Sequence, residues 1–381
     1  MDLGPFLRGR RERFGFSTQQ VAALAGLSLE QVETAEQPGA SLGLVIVHAL
    51  GDALAFDPAA LLRGEAIDDP RRLPGWFRSH EPMDDEAVSP KDARLFARAA
   101  ELGHVGEFLW QELNRGRSIL ERLRAPKSVV DFEDPWREGY GLGETARLSS
   151  SAVDGPVVSM QAFIEGLGVH VARVEFDSTT REAVSVYRPG ALPIILLNTN
   201  TARVRHSLSR RAVLGHELCH LLHDSGEQPL RSSDGTTTPV REVIEQRANG
   251  FAPAFLAPPG WLRRDFEPVT SDDLEAVHEL VLTLASTWGF TGVGAVWHAK
   301  NCELIPKSSA ERLAHDPLVA ELNPRGHGFE PERPSALTRR ADADEIGVTS
   351  LCAGLIEDLV VEALDGGAIT ANRAREILSW S

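Results

Sequence analysis

The chain has 381 residues, 42% hydrophobic and 25% charged, with 39 Lys and Arg against 55 Asp and Glu for a formal net charge of −16. That length exceeds one ordinary core and predicts a multidomain, soluble globular protein, while the charge opposes non-specific attraction to DNA over the chain as a whole. No apolar run approaches the roughly 18 residues of a membrane span, arginines stand where a signal peptide needs its apolar core, and three scattered cysteines exclude a disulfide framework or a cysteine-based zinc site, so a cytoplasmic protein with no membrane partner is expected.

Residues 1–65 read as a bundle of short helices. After an Arg-rich first helix, Ser17-Thr18-Gln19-Gln20 is a capping box opening a helix through Val21, Ala22, Leu24 and Ala25, which Gly26 ends. Ser28-Leu29-Glu30-Gln31 is a second capping box, starting a short helix that carries Val32 and Ala35. Two capped helices across a Gly turn describe a helix-turn-helix. With a following helix through Leu50 and Leu54 and then AFDPAALLRGE, the segment resembles the repressor-like, Xre-type helix-turn-helix family.

In that family the second helix of the pair enters the major groove of DNA. Here that helix offers Glu30, Glu33 and Glu36 with no Lys or Arg, and carboxylates repel phosphates. Arg8, Arg10 and Arg11, with Gln31, are the candidate DNA contacts; the alternative for the arginines is a solvated basic face.

Residues 66–134 are expected to be a linker followed by connecting helices, with Ser89 and Pro90 as N-cap and first residue of a helix to Gly103, and a second helix from Val105 to Leu123. Phe108 and Trp110 are expected to belong to packing. From about 135 the pattern changes: a helix around Met160 to Ile164, then β-rich runs at Val169 to Phe176, Ala183 to Arg188 and Pro193 to Asn198, enough for a small, mostly antiparallel sheet.

The stretch that follows carries the chemistry. Gly215-His216-Glu217-Leu218-Cys219-His220 contains HExxH, which on a helix puts both histidines on one face, able to reach one metal ion. Glu217 is placed to take a proton from a water activated by that metal. Val213, Leu214, Leu218, Leu221 and Leu222 form the helix's apolar face, Cys219 reads as a small packed residue, and His223 as a helix C-terminal or second-layer histidine. Zinc needs a third protein ligand. Candidates downstream are Asp224, Glu227, Asp234, Glu242 and Glu245; the first two follow the helix end too closely, and His223 with Gly226 excludes the metzincin spacing. A second helix, capped by Thr238 and Pro239 and apolar at Ile244, Ala248, Phe251, Ala252 and Phe255, brings Glu245, or alternatively Glu242, within reach if it packs beside the first.

HELCHLLH followed by Glu245-Gln246-Arg247-Ala248-Asn249 and then Phe251-Ala252 to Pro258, with LSRRAVLG leading in, resembles the ImmA/IrrE family of metallopeptidases over about 135–260. The resemblance implies that Glu245 completes a Zn²⁺ site with His216 and His220, that Glu217 is catalytic, and that Asn249 supports the site. It implies a zincin-like α+β domain, the small antiparallel sheet plus the HExxH helix. It also implies a protein substrate, a helix-turn-helix repressor. Cys219, where that family often has a small residue such as Gly, and Pro253, expected to kink the second helix beyond the ligand, depart from the pattern.

Residues 261–381 are expected to be mainly helical, with helices from Ser271 to Trp288, from Val293 to Ile305 and at Leu351 to Leu364 and Ile369 to Leu378, and a Pro/Arg-rich linker around 306–345. A homodimer would give this region a use. The expected whole is an all-α helix-turn-helix domain, an α+β metallopeptidase domain and an α-helical C-terminal region. The expected function is zinc-dependent cleavage of a repressor, the competing one a DNA-binding regulator that uses the peptidase-like part as a sensor.

Overall fold

The computed structural model describes residues 3–13, 16–54, 77–79, 89–125, 129–130, 134–150, 154–187, 190–224, 231–232, 240–270, 273–317, 319, 328–331, 335–339 and 348–379. The stretch AFDPAALLRGE, most of 66–88, Glu227, Asp234, Thr238 with Pro239, and much of the 306–345 segment lie outside these residues. The chain forms two compact units, each assembled from separated stretches: 1–116, 170–200 and 335–381 in one, 117–169 and 201–334 in the other.

The first unit begins with helices α1 (Leu3–Arg13), α2 (Thr18–Ala25), α3 (Leu29–Ala35) and α4 (Leu44–Leu54). Both capping boxes close in both directions: Ser17 Oγ accepts from Gln20 N at 3.2 Å while Gln20 Oε1 accepts from Ser17 N at 2.7 Å, and Ser28 with Gln31 repeats this at 3.1 and 2.8 Å. Gly26 ends α2 in the left-handed region with φ 64°. Phe6, Leu7, Val21, Val32, Val47 and Leu50 form the core of these helices.

A three-residue strand β1 (Phe77–Ser79) precedes α5 (Pro90–Glu112), which runs through the break expected at Gly103; the helical stretch breaks after Glu112 instead, before a short helix Ile119–Leu123. Gly103 does not stop α5. A Cβ at Gly103 would lie 2.8 Å from the Leu192 carbonyl oxygen, so this glycine lets the helix lie close to the chain entering the central strand. Strands β2 (His170–Val174), β3 (Ala183–Val186) and β4 (Ile194–Asn198) fall where expected, and the sheet is mixed: two of its three pairings are antiparallel, as expected, and one is parallel. Its order is β1-β3-β4-β2, with β4 antiparallel to β3 and parallel to β2, His170 opposite Ile194. The reason is the continuous apolar run Ile194-Ile195-Leu196-Leu197: all five residues of β4 are buried, so it takes the middle of the sheet and separates β2 from β3. Helices Leu355–Asp365 and Ala371–Leu378 complete this core with Leu355, Ile356, Leu359 and Leu378. His170 Nε2 donates to the Leu351 carbonyl at 2.7 Å, and its Nδ1 accepts from Ile356 N at 3.4 Å.

The second unit is helical apart from the two-residue strands Val129–Val130 and Arg231–Ser232 among the described residues. It contains α6 (Pro135–Ser150), α7 (Ser207–Cys219), which runs on into a π-helical turn His220–Asp224, and α8 (Val240–Leu256). Further helices are Met160–Gly166, Pro259–Asp265, Leu274–Trp288, Gly292–Asn301 and Lys307–Leu313. The last lies in the stretch expected to be a linker, and so does Glu330, which is buried against Arg211 at 3.3 Å and accepts from Met160 N. A buried carboxylate needs such a countercharge, and composition alone does not reveal it. Pro253 sits inside α8, which continues to Leu256. Among the described residues no single helix is long and apolar enough to cross a membrane.

Candidate metal centre

The helix α7 is buried nearly all round, with Leu208, Val213, Leu214 and Leu218 among its buried residues, and the His206 ring caps its first turn by accepting from Ser209 N at 3.3 Å. Arg210 and Arg211 in LSRRAVLG are structural: Arg210 Nη1 donates to the Val204 carbonyl at 2.9 Å, and Arg211 reaches the carbonyls of Val158 and Trp288 at 3.2 and 3.3 Å. They anchor the helix that carries His216, Glu217 and His220.

The second site helix, α8, is held by α6. Gly139 and Gly143 of α6 lie against its backbone: a Cβ on Gly139 would fall 2.1 Å from the Arg247 carbonyl oxygen, and one on Gly143 2.4 Å from that of Phe251. Only glycine permits this approach. Helix α6 was not foreseen as a helix, though the G-x-x-x-G spacing of Gly139 and Gly143 was the available signal.

His216, His220 and Glu245 converge. His216 Nε2 lies 3.0 Å from Glu245 Oε2 and 3.0 Å from His220 Nε2, and His220 Nε2 lies 3.7 Å from Glu245 Oε1. The two histidines are buried and the Glu245 side chain is 17% exposed. Zinc bonds of about 2.0–2.1 Å at tetrahedral angles place ligand atoms roughly 3.3 Å apart, so these separations fit one ion.

The outer ring nitrogens make the fit chemical as well as geometric. His220 Nδ1 lies 2.7 Å from Asp224 Oδ2, and His216 Nδ1 lies 3.1 Å from Asn249 Oδ1. A carboxylate can only accept, so His220 carries its proton on Nδ1, and an Asn249 carbonyl oxygen fixes His216 the same way. The two Nε2 atoms then face each other and Glu245, an arrangement that favours positive charge among them, supplied by a proton or by a metal ion. Burial by itself opposes charge on the His220 ring, but the Asp224 and Glu245 carboxylates outweigh it and push the pKa up to about 10.

The remaining candidates have definite places. Glu217 is buried on α7, three residues before His220 and so on the same side of the helix. Glu242 is exposed. Asp224, weighed as a third ligand, holds the outer nitrogen of His220 instead. His223 Nδ1 lies 3.1 Å from the Ala125 carbonyl oxygen, and Ala125 N donates to Leu222. Burial pushes the Cys219 thiol well above its ordinary range, which fits a packed residue with no thiolate. Sequence reasoning missed Arg247, which donates to Asp224; it stands in plain view between Glu245 and Asn249.

In the N-terminal helices Arg10 is buried, its Nε donating to the Leu54 carbonyl at 3.0 Å and its guanidinium 5.4 Å over Phe6. Arg11 pairs with both Glu36 oxygens at 2.6 and 2.9 Å, which also accounts for buried Glu36 at the C-terminal cap of α3. Arg8 is half-exposed and donates to the Glu36 carbonyl at 3.2 Å; Gln31 is exposed and engaged in its capping box.

Residues 164–291 match the family model Peptidase_M78, the IrrE N-terminal-like domain. The match supports the ImmA/IrrE family. It spans the expected sheet strands, the HExxH helix and the Glu245 helix, and it supports a peptidase of the ImmA/IrrE type with a candidate metal-binding triad. No curated protein and no solved structure matches the chain.

Proposed function

We propose that the chain is a zinc-dependent endopeptidase whose substrate is a protein, a transcriptional repressor of the helix-turn-helix type. The observation that carries this is the convergence of His216 Nε2, His220 Nε2 and the Glu245 carboxylate, with both outer ring nitrogens held by oxygen acceptors. These three residues would hold Zn²⁺, a Lewis acid that polarises a peptide carbonyl and makes water a nucleophile near neutral pH.

Everything else falls to the chain. Asn249 and Asp224 accept from the two outer ring nitrogens, which turns both Nε2 atoms inward, where they would serve as unprotonated ligand atoms to a bound ion. Glu217, a carboxylate beside the ligands and shielded from bulk water, takes the proton from the attacking water and returns it to the leaving amine. The repressor substrate rests on the ImmA/IrrE resemblance, whose members act on such proteins.

Replacing Glu217 with Gln keeps the size and removes the base. The purified variant should retain about one zinc per chain while cleavage of a co-encoded helix-turn-helix protein falls about 10²- to 10⁴-fold. Stoichiometric zinc with cleavage indifferent to Glu217 would sink the catalytic role and leave a metal-bearing sensor or interaction module.

A further inference from the structure

Two buried charges beside the site have no place in the ligand set. Asp224 and Arg247 both have fully buried side chains, and they meet each other: Arg247 Nη2 donates to Asp224 Oδ1, while Asp224 Oδ2 accepts a hydrogen bond from His220 Nδ1 at 2.7 Å. Arg247 Nη1 lies 3.6 Å from Glu138 Oε2, on α6. A line of groups therefore runs from Glu138 through Arg247 and Asp224 to the back of the His220 ring.

We infer that Asp224 and Arg247 are positioning residues for His220, locking its ring orientation and tautomer so that Nε2 faces Glu245 and His216; the inference rests on reading the site as a zinc centre. Turning the imidazole over would set a carbon, which donates no hydrogen bond of that strength, against a buried carboxylate, so the ring has one acceptable pose. Asp224 reaches that nitrogen from the π-helical turn that extends α7 past His220. The buried carboxylate is tolerable because Arg247 neutralises it. Arg247 sits on α8 between Glu245 and Asn249, so that helix supplies one ligand, holds His216 through Asn249 and holds His220 through Arg247 and Asp224. Each histidine is thus aligned by the helix that bears the carboxylate ligand.

The alternative is that Asp224 and Arg247 are a structural ion pair only. The two accounts separate because a buried ion pair can be replaced by apolar residues with little loss of stability, or even a gain, whereas loss of an outer-nitrogen partner weakens metal binding about 10- to 100-fold. The experiment uses the full chain and reads zinc affinity by chelator competition, together with the visible absorption of the Co²⁺ form as a signature of ligand geometry. Asp224→Ala with Arg247→Met, made together, removes both charges. Zinc affinity about 10- to 100-fold below wild type in a double variant that melts cooperatively near the wild-type temperature, with a displaced Co²⁺ band, is the expected result. Asp224→Asn, whose amide oxygen can still accept from Nδ1, should recover part of the loss. A double variant with wild-type zinc affinity and an unchanged Co²⁺ band overturns the inference. If that double variant does not fold, Asp224→Leu with Arg247→Leu, which removes both charges and offers Nδ1 no acceptor, decides by the same two readouts: weakened affinity with a displaced band supports positioning, and wild-type values for both overturn it. A wild-type chain that binds no zinc overturns the zinc reading and this inference with it, which keeps the two failures apart.

Discussion

The second unit buries two histidine sites that begin from the same physics and end opposite. At the candidate metal centre His220 faces Asp224 and Glu245, and its pKa is pushed up to about 10. About the helix Gly292–Asn301, His298 is equally buried but its partners are neutral: Nε2 lies 2.8 Å from the Ala257 carbonyl and Nδ1 3.0 Å from the Tyr140 hydroxyl. There burial dominates and the pKa falls to about 4. Burial alone makes a histidine neutral. Converging carboxylates instead make a buried histidine site that favours positive charge.

The contrast is open to direct tests. Glu245→Ala should bring the largest change, loss of stoichiometric zinc from the purified protein, because it removes a ligand and half of the carboxylate field around His220. Zinc retained at one per chain in that variant would break the comparison at its first term. The next effect belongs to His298. Its folded pKa of about 4 lies below the unfolded value of about 6.5, so the unfolded chain binds the extra proton between these limits. The stability this neutral ring contributes is complete above about pH 6.5 and is lost as pH falls toward 4, about 3 kcal/mol in all. Urea unfolding followed from pH 7 to pH 4 should show that loss, and His298→Gln should flatten it; an unchanged pH slope in the variant would remove His298 as its source.

The smallest expected effect tests what the two sites share. Helix α6 sends Glu138 toward Arg247 and Tyr140 toward His298, with Gly139 between them against the Arg247 carbonyl. Gly139→Ala forces α6 and α8 apart and should cost about 1–3 kcal/mol. Thermal melts would record the destabilisation and chelator competition a weakened zinc site, and a variant as stable as wild type would show that the helices need no such closeness.

Much of this was legible because the signals are local. Ser17 with Gln20 and Ser28 with Gln31 satisfy each other within one helical turn, so three-residue spacing is enough to place two helix starts. His216 and His220 share a face through helix geometry alone. Glu245 was different: its distance from the histidines depends on two helices packing, and spacing left Glu242 open until the family resemblance chose between them. The break expected at Gly103 failed because a glycine in a helical pattern reads as a terminator, while its use here is contact with a segment some 90 residues away in sequence, at Leu192. The strand positions were readable and their pairing was not, since β4 is claimed by the centre of the sheet through burial on both faces.

By itself, then, the sequence determined the capped helices, the strand positions and the shared face of the HExxH histidines, all of which rest on periodicities of a few residues. Tertiary structure alone decided that the chain divides into two units built from interleaved stretches, that Arg10 and Glu36 are buried, and that Asp224 turns its back on the ligand position to hold His220 from outside. The physical reason is common to all three. Each depends on which distant backbones come close enough to exclude water, and such closeness is a property of packed helices and strands that no short spacing encodes.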